Sequence, residues 1–241
     1  MPYYSYTDMN QNKRIKNLQK DLRKLEGEAE LKYHDWNLGG AVTISTGGTG
    51  YFMMPIAQGD GPSNREGSSI TPTSFTGRGY FVTQGGRVNP SIVRMIIMWV
   101  PTPGTGIPAL YGTTSTGTEA VLDNTNTTPN VPNIFAPYSR QYMDQFRIVY
   151  DKTYTLTPQT VGSTTQVLGP PVVVNTTSTN PVYMKWKAKG KLHRKVTYDD
   201  TSGISYTSVA SNALVIYFIT DSVSGSAPLW NGNIRINFKD I

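Results

Sequence analysis

Two clusters of basic side chains are the strongest candidates for a binding function in this sequence, because their cations can neutralise the phosphates of a nucleic acid. The first cluster lies in residues 13–24, where six cations accompany a single anion, Asp21. Its cations are Lys13, Arg14, Lys16, Lys20, Arg23 and Lys24. Contacts to phosphate carry no base information, so the expected binding is non-specific. The alternative is an ordinary solvated N-terminal helix.

The second basic cluster is a run of alternating lysines near residue 190. Its members are Lys185, Lys187, Lys189 and Lys191, separated by Trp186, Ala188, Gly190 and Leu192. Side chains two apart share one face of a β-strand, so this pattern predicts a strand with one lysine face and one apolar face. Such a lysine face meets either water or a polyanion. The alternative to polyanion binding is a solvated outer face, or an edge strand whose lysines prevent pairing with other chains. We expect Trp186 in the core or in an interface.

The element that must position the first cluster is a helix. Apolar residues follow at spacings of three and four, and no Gly or Pro interrupts them before Gly27. These residues are Ile15, Leu18, Leu22, Leu25 and Ala29. The spacing predicts an amphipathic helix over residues 12–26. The stripe is too short for a free coiled coil, so we expect it to pack on the protein's own wall or on symmetry-related copies.

The rest of the chain has the pattern of a β protein, with 23 Gly and 16 Pro separating short apolar segments. After residues 30–36 and a Gly-rich break, predicted strands cover residues 41–45, 50–56, 69–76, 80–83, 91–100, 145–156, 182–198, 213–220 and 233–238. Residues 91–100 and 213–219 are apolar on nearly every position, so both should be covered on both faces. Segments 101–137 and 157–181 are predicted as long surface loops. We therefore predict one all-β domain, a single eight-stranded jelly roll at 30–241, behind a basic helical arm at 1–29.

Little in the sequence points to catalysis or to a cofactor. Cys is absent and the two histidines, His34 and His193, have no nucleophile or metal spacing. Asp35 follows His34, but neighbours on a strand point to opposite faces, which argues against a dyad. We predict no enzyme activity, no catalytic residue, no cofactor and no metal site. An interface cation held by Asp199 and Asp200, by Asp144 or by Asp151 is left open.

The longest apolar stretch, residues 92–100, is interrupted by Arg94 and is too short to cross a bilayer. No membrane insertion is therefore predicted. The sequence before residue 13 also lacks the apolar run of a secretory signal, so we expect synthesis in the cytosol.

Short segments from residue 30 to residue 240 form an ordered series. They are ELKY at 30–33, PIAQG at 55–59, NREGSSI at 64–70, the segment 146–156 with YDKTY, the lysine strand at 185–191, and IRINFKD at 234–240. In this order they resemble the capsid proteins of circular Rep-encoding single-stranded DNA viruses, the circovirus-like group, and the related plant satellite-virus coats. The resemblance implies one eight-stranded jelly roll with an inward-pointing arm. It also implies a closed T=1 icosahedral shell of about 60 copies of the chain itself.

By this resemblance the chain packages viral nucleic acid, single-stranded DNA in that group, and resides in the virion, with the host nucleus as an assembly site. The host receptor is left open. The choice between DNA and RNA is also left open, because phosphate contacts hardly distinguish the two. The arm departs from the family's long arginine-rich tract, since it is a short mixed helix flanked by Glu26, Glu28 and Glu30. One arm should bind weakly, with affinity arising from many copies together.

Two other classes of protein are weighed against the coat protein. A cellular lectin-like jelly-roll module would use the long loops to hold a glycan, and the basic amphipathic arm counts against it. A hydrolase on a β-sandwich is disfavoured because the sequence has only two histidines and no paired acid motif.

Overall fold

The structure of the protein is a computed structural model, which describes residues 11–21, 31–38, 40–83, 90–111, 120–123, 133–157, 159–162, 173–176, 179–187, 194–199, 204–222 and 227–240. One α-helix covers residues 11–21, and the remaining regular structure in these ranges is almost entirely β. The strands are β1 (Leu31–Asn37), β2 (Val42–Thr43), β3 (Thr49–Phe52), β4 (Ser69–Val82), β5 (Ser91–Val100), β6 (Ala109–Tyr111), β7 (Ala120–Leu122), β8 (Arg147–Leu156), β9 (Gln159–Gly162), β10 (Val173–Thr176), β11 (Thr179–Lys187), β12 (Val196–Tyr198), β13 (Val209–Ser211), β14 (Ala213–Thr220) and β15 (Leu229–Asp240). The all-β prediction is confirmed. The division into an arm at 1–29 and a domain at 30–241 stays a prediction.

A seven-stranded antiparallel sheet is built around β15 and β4, which pair along most of their length. On the far side of β15, β1 and β2 lie end to end. On the far side of β4, β11 and β12 pair with opposite ends of that strand, and β13 continues beyond β12. The sequence predicted one strand over 182–198, but the structure divides it between β11 and β12. Pro181 in β11 fits an edge strand, because its missing N–H breaks no ladder there.

A four-stranded sheet has the order β3-β14-β5-β8, again antiparallel. Its central strands β14 and β5 are buried on almost every position, so the prediction that both faces would be covered is confirmed. One face shares a core with the seven-stranded sheet. There Phe218 of β14 stacks on Trp230 of β15 with ring centroids 5.3 Å apart, and Phe81 of β4 lies 4.9 Å from the same indole.

The other face of the four-stranded sheet is covered by the segment between β5 and β8. Leu110, Val121 and Ile134 of this segment are buried, and β6 pairs with β7 in parallel. Tyr217 of β14 donates a hydrogen bond to the carbonyl of Pro108 at 2.8 Å. The prediction of a surface loop over 101–137 is therefore wrong for these described residues, because their apolar side chains form a third layer. In 157–181 the structure places an antiparallel hairpin, β9 with β10.

Strand β4 runs without a break through Gly77 and Gly79, where the sequence predicted a gap between separate strands at 69–76 and 80–83. Gly79 pairs in register with Gly232 of β15, and the indole of Trp230 lies against both. A Cβ at Gly79 would stand 2.5 Å from Cη2 of Trp230, and one at Gly232 would stand 2.5 Å from Cζ2. Gly79 and Gly232 therefore mark a close approach of a large ring to the backbone, and not a break in either strand.

Candidate nucleic-acid interface

The basic helix at residues 11–21 is exposed to solvent along its whole length. Lys13, Lys16 and Lys20 are three and four residues apart, so they lie on one face, and Arg14 lies beside them. The opposite face carries Ile15 and Leu18, which are 51% and 66% exposed. The described part of the apolar stripe therefore does not pack on the subunit's own wall. Arg23 and Lys24 lie outside the described residues, as does the rest of the helix predicted to residue 26.

The lysine strand corresponds to β11 and the segment that follows it. Lys185 is exposed and Val182 is 4% exposed, as alternation along a strand requires. The backbone of Lys187 pairs in register with Ser74 of β4. Lys189 and Lys191 lie outside the described residues. Lys185 is therefore the predicted lysine that the structure places on a sheet face.

Lys185 belongs to a larger surface, the outward side of β1, β15, β4 and β11, which we call the open face. A row of partners crosses all four strands, from Asp35 through Arg235 and Thr76 to Lys185. Neighbouring rows add three exposed tyrosines and two exposed asparagines. We define the members of the open face as Tyr33, Asp35, Asn37, Arg78, Tyr80, Tyr183, Lys185, Asn233 and Arg235, all of which are exposed or half-buried.

The open face combines cations with aromatic rings. The guanidinium of Arg235 lies 4.4 Å from the ring centroid of Tyr33, and that of Arg78 lies 5.9 Å from the ring of Tyr183. Arg235 also holds Asp35 through two hydrogen bonds, of 2.7 Å from Nε and 2.6 Å from Nη2. These bonds hold the pKa of Asp35 below its ordinary value. The net charge of the face members defined above is positive, because three cations accompany one carboxylate.

A buried lysine anchors the strand that follows the arm. Lys32 of β1 is 1% exposed, and its ammonium lies 2.7 Å from Glu66 Oε1 and 3.4 Å from Asp240 Oδ2. The carboxylate of Asp240 also accepts a hydrogen bond from the backbone N–H of Glu66. Burial disfavours the charge on Lys32, but the bonds to the two carboxylates outweigh it and raise its pKa. The cluster therefore ties β1, β15 and the connection before β4 together.

The segments 55–59 and 64–70, singled out in the sequence, meet in one folded connection between β3 and β4. Gln58 and Arg65 form a parallel bridge. Arg65 is 1% exposed and donates to the carbonyls of Ile56 at 3.1 Å and Gly67 at 2.6 Å. Its guanidinium lies 4.3 Å from the ring centroid of Tyr198. These contacts give Arg65 a structural role within the subunit.

Of the aspartates considered for a cation, Asp151 is engaged by other side chains, and Asp200 lies outside the described residues. Asp151 accepts two hydrogen bonds from Arg94, at 2.9 and 2.7 Å, and one from Tyr138. Within the described ranges no group of three or more His, Asp or Glu side chains could hold a metal ion. His34 pairs in register with buried Ile236, whereas Asp35 contacts Arg235 on the open face, so the adjacent pair is divided as predicted. None of the described helices is long and apolar enough to cross a membrane.

A cleft beside the connection after β5 contrasts with the open face. Its lining includes Pro101, Ile107, Phe146 and Tyr206, and Asp144 is the one charged residue there among those described. A carboxylate repels phosphate, so this cleft does not suit a polyanion. The open face and the basic helix have the charge that a polyanion requires.

No protein-family model matches this chain, and no curated protein matches it. Sequence reasoning missed Arg78, Arg235, Tyr33 and Tyr183 as members of one surface. A signal was present in β15, where polar residues at 231, 233, 235 and 237 alternate with apolar ones.

Proposed function

We propose that this chain is a viral capsid subunit with an eight-stranded jelly-roll fold. A jelly roll is a long antiparallel hairpin wrapped into two facing sheets, so its first strand pairs with its last and each inner pair nests within the previous one. The observation that carries the proposal is this nested pairing. The pairs are β1 with β15, β3 with β14, β4 with β11, and β5 with β8. Jelly rolls are a common architecture of viral capsid domains.

The order of strands within each sheet supports the same fold. Wrapping the hairpin brings β15 beside β4 and β14 beside β5, which joins the four nested pairs into two sheets. The resulting orders are β1-β15-β4-β11 and β3-β14-β5-β8. The short strands β2, β12 and β13 extend the edges of the first sheet, and β6, β7, β9 and β10 belong to connections.

The basic helix supports a role in assembly and in packaging. Its cations, Lys13, Arg14, Lys16 and Lys20, face solvent ahead of β1 and can contact phosphates without base specificity. Its exposed residues Ile15 and Leu18 offer an apolar stripe to helices of neighbouring copies. On this proposal the partners are further copies of the chain in a T=1 shell and viral nucleic acid, single-stranded DNA by the family resemblance. Arg23, Lys24, Lys185, Lys187, Lys189 and Lys191 are proposed to share the electrostatic contact.

Electron microscopy of the purified full chain, read with its absorbance ratio at 260 and 280 nm, tests the proposal. We expect closed shells of one diameter that contain nucleic acid, and digestion of the released cargo by DNase or RNase identifies it. A chain that stays monomeric or forms small oligomers over a range of salt and pH overturns the coat function. Specific glycan binding by such a monomer would support the lectin-like alternative.

Two matched sets of substitutions test the arm. Replacing Lys13, Arg14, Lys16 and Lys20 with Gln should lower the nucleic acid per shell and weaken its salt dependence, because fewer phosphates are neutralised. Replacing Ile15 and Leu18 with Gln keeps the charge and should lower the yield of shells. Deleting residues 1–26 should leave the β domain folded and reduce co-purifying nucleic acid. An unchanged amount of nucleic acid per shell, both in the variant that lacks the four cations and in the deletion, overturns the packaging role of the arm.

A further inference from the structure

We infer that the open face is a stacking platform for single-stranded nucleic acid. Tyr183 and Tyr33 would each take a base on an aromatic ring, and the cations between them would take the phosphates. This inference rests on the proposed function in one respect, that the ligand is the packaged nucleic acid. Its chemistry derives from the sheet alone.

The residues of the platform follow a diagonal across four strands. Tyr183 on β11 pairs with Arg78 on β4, and Arg78 pairs with Asn233 on β15. One row further along, Arg235 of β15 reaches Tyr33 of β1, with its guanidinium 4.4 Å from the ring centroid. From strand spacings, the two tyrosines are about 20 Å apart along this path. A few nucleotides can cover that distance.

The accessibility of the rings favours bases over other ligands. Tyr183 is 60% exposed, Tyr80 is 39% exposed and Tyr33 is 38% exposed. Tyrosine is enriched at interfaces, where its ring supplies a large contact area, and three exposed rings on one sheet face form an aromatic patch. Stacking on such rings tolerates any sequence, because every base has a π face. Single strands expose those faces, whereas a duplex hides them.

Charge complementarity identifies the occupant as a polyanion. Arg78 and Lys185 are exposed cations in adjacent rows of the open face, and Arg235 forms the third. Asp35 is held by Arg235, so it lowers the charge of the face without abolishing it. A neutral glycan would gain nothing from these cations, although it could contact the tyrosines. Single-stranded nucleic acid uses both features together.

The experiment measures the binding of full-length subunits, stripped of nucleic acid, to fluorescein-labelled oligo(dT) and to an abasic oligonucleotide of equal length. Tyr183→Leu should weaken oligo(dT) binding about tenfold, because it removes one stacked base. The same variant should bind the abasic probe as the wild type does. Tyr183→Phe keeps the ring and should stay within about twofold of the wild type. An oligoribonucleotide arm compares RNA with DNA, and a duplex arm should show no dependence on Tyr183.

Controls separate stacking from charge and from folding. Phe135→Leu removes an equally exposed ring outside the open face and should change nothing. Arg78→Gln should weaken both probes alike and reduce the slope of affinity against salt by about one ion. An unchanged oligo(dT) affinity in Tyr183→Leu overturns the inference, and so does an equal loss for both probes. Competition by a neutral oligosaccharide at the open face also overturns it.

Electron microscopy of the same samples keeps the two proposals distinguishable. Shells formed by Tyr183→Leu together with an unchanged oligo(dT) affinity overturn the stacking platform and leave the coat function standing. A wild type that forms no shell but loses oligo(dT) affinity only in Tyr183→Leu overturns the coat function and supports the platform.

Discussion

Arg235 and Asp35 are 200 residues apart in the sequence and lie side by side on the open face, joined by hydrogen bonds of 2.7 and 2.6 Å. The pair is a registered contact between β15 and β1. Arg235 thereby shares its charge between a neighbouring carboxylate and any anion that approaches the face. The pair consequently limits how strongly this surface attracts phosphate.

Asp35→Asn should raise the affinity of the subunit for single-stranded nucleic acid about two- to threefold, because Arg235 no longer shares its charge with a carboxylate. Stability should change little, since exposed ion pairs contribute weakly. Fluorescence anisotropy over a salt series measures the effect. Asp60→Asn makes the same charge change at an exposed residue in the connection between β3 and β4 and is the control. Equal gains in both variants would show that overall charge, and not the open face, determines affinity.

Arg94→Lys should destabilise the subunit by about 2 kcal/mol. Arg94 donates to both oxygens of Asp151 and to the carbonyls of Ile134 and Ala136, at 3.0 and 2.8 Å, and one ammonium cannot satisfy all of them. Urea unfolding measures the loss, and limited proteolysis should show faster cleavage near residue 134. Arg147→Lys is the matched control at an exposed site. A stability equal to that of the wild type would show that Arg94 does not hold the segment between β5 and β8 on the four-stranded sheet.

Acid should weaken the subunit through Asp151. Burial opposes its ionisation, but hydrogen bonds from Arg94 and Tyr138 outweigh burial and hold the pKa of Asp151 below its ordinary value of 3.8. A depressed folded pKa means that the stabilisation is present above about pH 4 and is lost as the pH falls through the folded value. The urea concentration at the unfolding midpoint, measured from pH 6 downward, should therefore decrease once the pH is below about 4. Asp151→Asn should be less stable at pH 6 and should show a shallower acid slope. An identical slope in the variant would assign the acid sensitivity to other carboxylates.

Gly79→Ala should cost about 2 kcal/mol, because a Cβ there meets the ring of Trp230 and the carbonyl of Asn231 at 2.5 and 2.7 Å. Thermal and urea unfolding measure the loss, and the indole signal in near-ultraviolet circular dichroism should change. Gly104→Ala is the control, since nothing lies within 4 Å of its added Cβ. A neutral Gly79→Ala would show that the Trp230 ring can move without cost.

The parts of the fold that local pattern determines could be predicted from the sequence. Strands β5 and β14 occupy the predicted residues, because a continuous apolar run has one stable environment, the centre of a covered sheet. The helix at 11–21 follows from helical spacing and an absence of Gly and Pro. The predicted break in β4 is wrong because the close approach that Gly79 permits depends on Trp230, some 150 residues away in the sequence.

The candidate site was predicted only in part, for a related reason. The exposure of Lys13, Arg14, Lys16 and Lys20 and of Lys185 follows from local composition and alternation. The neighbours of Lys185 on the open face do not, because Arg78, Arg235 and Tyr33 come from three other strands whose pairing is set by the whole topology. Periodicity assigns a residue to a face of its own strand, but it does not say which strand lies beside it.

The position of β15 has a consequence for the timing of biosynthesis. This strand lies between β1 and β4 in the seven-stranded sheet and follows every other described strand in the chain. A ribosome therefore releases β1 and β4 long before the strand that joins them exists, and the pairing of Leu31 with Lys239 must close a loop of nearly the whole chain. Such non-local pairing makes folding slow. The sheet is completed only after residue 240 has been synthesised, so a nascent chain shorter than this cannot present the finished surface to its copies.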